Sequence, residues 1–248
     1  MPTSICWGIT GAGYFLRETF SVMWRAVKER DLRVTTFLSS AGVEVVRIYG
    51  FWDKLPEISP GSYFQEVLAE GNEGASAPKA GRLFRGMYSA LVVSPASTNT
   101  VAKVVHGIAD TLVTNAVTSA QKGGVPVYIV PTDQKAGLIE TTLLYRVETS
   151  ECKSCGECPA LAICPYSAIY LQEGLANIDL LKCRNCGLCV NACPYGAIKH
   201  GEKVKMQVRD IDVSNVKKLK RTRGITVLRH PEEIANVLLS LARLNDRC

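Results

Sequence analysis

No apolar run in the sequence approaches the roughly 20 residues that a membrane-spanning helix needs. Its opening, MPTSICWGIT, has no basic flank ahead of an apolar core. The expectation is a cytoplasmic protein without membrane insertion. Low-complexity tracts are also missing. With 47% hydrophobic and 21% charged residues among 248, the chain has the composition of a globular protein, long enough for one large domain or a large and a small one. Neither sign of charge dominates: the stretch 201–230, where nine Lys and Arg stand against three acids, accounts for the whole formal excess of +6. No aromatic residue interleaves those cations, so the stacking platform of a nucleic-acid surface is lacking and no nucleic-acid partner is expected. A solvated helix face, or a surface for an anionic substrate tail or an acidic redox partner, remains.

Histidine is rare, with only His106, His200 and His230, whereas cysteine is plentiful. Cys6 and Cys248 stand alone, but eight of the ten cysteines lie between Cys152 and Cys193 in CxxC arrays. In a cytosolic chain that pattern signals metal rather than disulfides. The second array is Cys183, Cys186, Cys189 and Cys193 before Pro194; the first is Cys152, Cys155, Cys158 and Cys164 before Pro165. CPYSAI (164–169) is echoed by CPYGAI (193–198), so the block is a pseudo-repeat. Structural zinc is the bland alternative, since CxxC pairs also form tetrahedral sites of four thiolates. Three cysteines in series followed by Cys-Pro favour iron–sulfur clusters.

On either side of this block the pattern is different. SICWGIT (4–10), LRVTTFLS (32–39), ALVVSP (90–95) and VPVYIV (125–130) read as buried strands. Between them, 14–30 places Phe15, Thr19, Val22, Met23, Ala26 and Val27 at helical spacing, and 99–123 reads as a second helix, with His106 as a packing residue on it. After the cysteines, GITVLRH (224–230) and PEEIANVLLSLARL (231–244) give a closing strand and helix, with Ile234, Val237, Leu238, Leu241 and Leu244 as the apolar stripe. His200 and His230 border loops and read as solvated. The predicted fold class is α/β: a Rossmann-like (flavodoxin-like) parallel sheet sandwiched by helices, interrupted by a small inserted α+β ferredoxin-like domain. The expected boundaries are 1–148 with 201–248 for the host, and 149–200 for the insertion.

GITGAGYF (8–15) joins the first strand to the first helix with small residues suited to a phosphate. As a dinucleotide fingerprint it is poor, because Leu16 fills the last glycine slot and no acid closes the second strand. A hydroxyl there, Ser39 or Ser40, favours a phosphate monoester such as FMN. The hexapeptide PASTNT (95–100), followed by GIAD (107–110), resembles the PASANT-type motif of the homo-oligomeric flavin-containing cysteine decarboxylase superfamily, and most closely its archaeal flavoproteins. The resemblance implies FMN at the subunit interface of a trimer-based assembly, bound by Thr10, Gly11, Ala12, Gly13, Ser39, Pro95, Ala96, Ser97, Thr98 and Asn99. Decarboxylation itself is not expected: no histidine lies between Ser40 and Ala90, and PTDQKAG (131–137) lacks the Pro-x-Met-Asn clamp of those enzymes.

The cysteine block resembles two-cluster bacterial ferredoxins, in which the fourth cysteine of each run ligates the other cluster. Carried over, one 4Fe–4S cluster takes Cys152, Cys155, Cys158 and Cys193; the other takes Cys183, Cys186, Cys189 and Cys164. The five residues PALAI between Cys158 and Cys164 depart from the usual three, and are expected to bulge. A ferredoxin insert within an archaeal-type flavodomain resembles the acceptor-dependent dihydromethanopterin reductases of methanogenic archaea. That resemblance implies ferredoxin or another low-potential donor, FMN, and dihydromethanopterin as the substrate reduced at its C=N bond. The rival expectation is a ferredoxin-linked electron-transfer flavoprotein with no small-molecule substrate; a reductase of another pterin or a quinone is a third. No side chain is identified as the catalytic acid.

Overall fold

The computed structural model describes residues 3–74 and 76–245, without the side chains of Leu244 and Asn245. The expectations for Leu244 and Cys248 therefore lie outside the described residues. In chain order the elements are β1 (Thr3–Ile9), α1 (Leu16–Glu29), β2 (Leu32–Leu38), α2 (Ser40–Ile48), β3 (Val67–Ala69), α3 (Glu70–Glu73), α4 (Gly81–Phe84), β4 (Ala90–Ala96), α5 (Thr98–Val105), α6 (Leu112–Lys122) and β5 (Val127–Pro131). There follow β6 (Gly137–Thr142), β7 (Arg146–Val147), α7 (Pro159–Ile163), β8 (Ile169–Gln172), β9 (Leu175–Ile178), α8 (Leu188–Ala192), β10 (Ile198–Lys199) and β11 (Lys203–Val208). The chain closes with α9 (Asp210–Leu219), β12 (Ile225–Val227) and α10 (Glu233–Asn245).

Two compact units result: Met1–Val45 with Trp52–Ala136 and Val208–Cys248, and Val46–Phe51 with Gly137–Gln207. The first holds a six-stranded parallel sheet ordered β12-β5-β4-β1-β2-β3. Strand propagation reverses between β1 and β4, which makes a doubly wound α/β fold with its switch point there. β1 and β4 are buried almost throughout, as strands covered on both faces must be. The closing strand β12 pairs with β5, so the C-terminal strand–helix unit does return to the sheet. Cys6 is fully buried, and desolvation pushes its thiol well above the ordinary range.

The single helix expected over 99–123 is instead two. α5 stops at Val105, His106 takes the C-terminal cap, and Gly107 adopts a left-handed φ of 71° that a side chain would disfavour. α6 restarts behind Thr111, whose side chain forms a capping box with Thr114. His106 is consequently exposed rather than packed.

The second unit is an α+β arrangement wider than the cysteine block. β8 and β9 form an antiparallel hairpin, β7 pairs with β10, and β6 pairs with β11 in a two-stranded ribbon. PALAI does not bulge. It is the helix α7, with Cys158 at its N-cap, Pro159 in its first turn and Cys164 at its C-cap. α8 has the same five-residue length and ends on Cys193 in the same way. The two additional residues of the first repeat thus move the third cysteine out of the helix, from the place Cys189 holds in α8 to a cap.

Candidate functional site

Two regions gather the predicted residues. In the first unit, the loops leaving β1 and β4 meet at the switch point, where ligands of open α/β sheets bind. Thr10 ties them together: its hydroxyl donates to Pro95 O at 2.8 Å and accepts from Ser97 N at 2.8 Å. It is buried, so neither bond is shared with solvent. Ser97 in turn caps α5 by accepting from Thr100 N, so that of the first turn Thr98 and Asn99 keep N–H groups ahead of the first intrahelical bond. Pro95 and Ala96 are buried, Ser97 and Thr98 half-buried, and Asn99 exposed.

Ser39 joins this group through its backbone, its N–H donating to Ile9 O at 3.2 Å. Its hydroxyl accepts from Gly42 N at 3.1 Å, which makes it a cap for α2. Close approach explains two glycines here. A Cβ on Gly42 would come within 2.4 Å of Ile9 O, and one on Gly11 within 2.6 Å of the Ala41 Cβ. Gly11, Ala12 and Gly13 therefore line a tight, partly open turn beside the α2 N-terminus. Hydroxyls, main-chain N–H groups and small residues, with no carboxylate among 10–13 or 95–99, fit a phosphate ester.

Sequence reasoning missed two neighbours. Glu70, directly after β3, accepts from the Ser40 hydroxyl at 3.0 Å and from Leu112 N at 2.9 Å. An acid following a short apolar strand was the only available signal. His230, expected to be solvated, is half-buried: its ring meets Phe15 edge-on at 5.1 Å, and Nδ1 accepts from Glu232 N at 3.3 Å.

In the second unit, two cavities are each lined by four cysteines. One has Cys152, Cys155, Cys158 and Cys193; the other has Cys164, Cys183, Cys186 and Cys189. Each draws three thiols from one run and one from the other. Among the described residues no three His, Cys, Asp or Glu side chains converge tightly enough to hold a single ion. Each set of four thiols lines one cavity, an arrangement that fits a cubane.

Local backbone geometry repeats around both cavities. Ser154 and Asn185, each following the first cysteine by two residues, have φ of 48° and 58°. In that conformation their N–H groups donate to Cys152 and Cys183. Ala176 N adds a second donor to Cys152 and holds its thiol below the ordinary range, while Ala168 N donates to Cys164 Sγ at 3.4 Å. Burial pushes the Cys183 and Cys189 thiols up. Ser167 and Gly196, matched in CPYSAI and CPYGAI, both adopt positive φ, 49° and 63°. Tyr145 borders the second cavity and stacks on His200 with ring centroids 4.0 Å apart, so His200 is not simply solvated.

Residues 2–152 match the family described as Flavoprotein, and 176–199 match the 4Fe-4S binding domain. A Methanosarcina mazei protein named dihydromethanopterin reductase (acceptor) is 47% identical, covering 93% of this chain and 96% of its own. A protein of the same name from Methanocaldococcus jannaschii is 48% identical, covering 93% of each. A crystal structure of Burkholderia xenovorans DmrB with FMN, described as a cubic protein cage for redox transfer, shares the fold, with a TM-score of 0.63 over 98% of both chains at 24% identity. No described helix is long and apolar enough to cross a membrane. The chain thus belongs to the flavoprotein family and, within it, to the family of the dihydromethanopterin reductases (acceptor).

Proposed function

We propose that the chain is an iron–sulfur flavoprotein reductase. Electrons from ferredoxin or another low-potential donor pass through two 4Fe–4S clusters to FMN, and on to the C=N bond of 7,8-dihydromethanopterin, giving tetrahydromethanopterin. The observation that carries this reading is the presence, in one chain, of two four-thiol cavities and a switch-point crevice lined by hydroxyls and N–H groups. The names of the two full-length relatives support the substrate.

Cys152, Cys155, Cys158 and Cys193 hold the first cluster; Cys164, Cys183, Cys186 and Cys189 hold the second. Their thiolates receive main-chain N–H bonds that stabilise added negative charge. Flavin, when bound, supplies the conversion between single electrons and hydride. Thr10 fixes the spacing of the two loops that embrace it. Gly11, Ala12, Gly13 and Ser39 face its phosphate side, and Pro95, Ala96, Ser97, Thr98 and Asn99 approach phosphate and ring. The working boundaries are 1–148 with 201–248 for the flavin domain and 149–200 for the cluster insert. A cytoplasmic assembly built from trimers, with flavin at the subunit interface, completes the proposal.

The test is anaerobic. Protein carrying about eight iron, eight sulfide and one FMN per chain is reduced and mixed with dihydromethanopterin. Flavin reoxidation with tetrahydromethanopterin formed is the expected result. Reoxidation only by a partner protein would replace this reading with that of an electron-transfer flavoprotein.

A further inference from the structure

The two cysteine runs are matched position by position, which exposes one difference in charge. Between its ligands the first run carries Lys153 and Glu157; the second carries Arg184 and Leu188 at the same places. The first pair sums to zero and the second to +1. Lys153 and Glu157 are both exposed, so solvent screens what little field they produce. Arg184 is half-buried and lines the second cavity. Its Nη1 donates to the carbonyls of Leu181, Lys182 and Cys183 at 2.8, 3.0 and 3.0 Å, and among the described residues no carboxylate pairs with it. The charge is therefore fixed beside the thiols and not neutralised. Lys182 pairs with Asp179 and Lys199 with Glu151, while Arg146, between Tyr145 of the second cavity and Val147 of the first, is shared by Glu148 and Glu202. N–H···S donors occur at both cavities. Cys186 of the second set is also exposed, and contact with water favours the more negative, reduced state.

We propose that the two clusters are unequal electron acceptors and that Arg184 makes them so: the cluster on Cys164, Cys183, Cys186 and Cys189 is the easier to reduce. This rests on the two-cluster reading above. One electron from a low-potential one-electron donor then resides on the second cluster. Its passage from the first oxidises one cluster and reduces the other by a single electron, with no bond made or broken. Arg184 is a positioning residue for charge and touches no substrate.

The experiment is a redox titration of anaerobic holoprotein followed by electron paramagnetic resonance. Iron and sulfide content is measured first, so that a chain without two clusters overturns the two-cluster reading and not this inference alone. Wild-type protein is expected to show two midpoints. Arg184→Gln should lower the upper one by about tenfold in its one-electron equilibrium, ~59 mV, and leave the lower one in place; Arg184→Lys should restore most of the gap. Arg184→Met, which also removes the charge, should lower the upper midpoint likewise and serves as the test if Arg184→Gln fails to assemble; Glu157→Gln, an exposed and screened charge, should leave both midpoints in place. A common midpoint in the wild type overturns the proposal. So does an Arg184→Gln protein with full iron whose upper midpoint is unmoved, or, where that variant does not assemble, an upper midpoint unmoved by Arg184→Met.

Discussion

The two units are held together by different means. The sheet unit buries Phe37, Leu83, Leu91, Val93, Leu112 and Val113 in one apolar cluster. The cysteine unit has a smaller cluster, Tyr145, Ala160, Ile169, Ala176 and Ile198, ringed by the thiols themselves. Small domains with so little core depend on a metal for their stability. The first unit folds around side chains; the second is expected to need what its side chains bind.

That contrast is broken or sharpened most directly by removing iron. Anaerobic chelation should abolish amide protection over 143–200 while β1, β2 and β4 stay protected, as read by hydrogen exchange. Equal survival of both units would remove the distinction. Next in size, Thr10→Val deletes two buried hydrogen bonds and strands Pro95 O and Ser97 N. It should cost about 2 kcal/mol of stability and weaken FMN retention at least tenfold (~1.4 kcal/mol), measured by denaturation and by flavin fluorescence on dilution; Thr10→Ser should retain most of both.

A smaller effect is expected from Lys217, Lys218 and Lys220, all exposed on or just after α9. Changing the three to Ser should raise the KM for dihydromethanopterin several-fold at low salt, with kcat kept. An unchanged KM would assign these lysines to the solvated face alone. The smallest effect compares the repeats themselves. Ser167→Gly relieves a left-handed residue and should stabilise the second unit by under ~1 kcal/mol, whereas Gly196→Ser should destabilise it by about 1 kcal/mol. Thermal unfolding of holoprotein would read both.

Much of this was legible in the sequence because it is written locally. A run of apolar, β-branched residues makes buried strands wherever it occurs, and cysteine spacing fixes which thiols share a loop. The crossed sharing of Cys164 and Cys193 followed from the resemblance to two-cluster ferredoxins, and the cavities group the thiols in the same way. What escaped depended on partners distant in the chain or on single backbone angles. Thr10 is unremarkable until β4 brings Pro95 and Ser97 beside it. Gly107 broke a periodic pattern that otherwise ran on from 99 to 123. Proline after Cys158 started a helix where the extra residues suggested a bulge. Glu70 and His230 gain their neighbours only through the order of strands.

The ribbon of β6 and β11 carries a further implication. After β5 the chain enters the cysteine unit along β6 and leaves along its hydrogen-bonded neighbour β11, with Leu143 N–H donating to Glu202 O and Lys203 paired with Glu140. Because both ends emerge side by side, the whole electron-carrying cassette loads its host with little more than the closure entropy of a surface loop. A short turn joining Ala136 to Val208 would excise that stretch, while Val46–Phe51, which belongs to the same unit, would stay behind in the host chain.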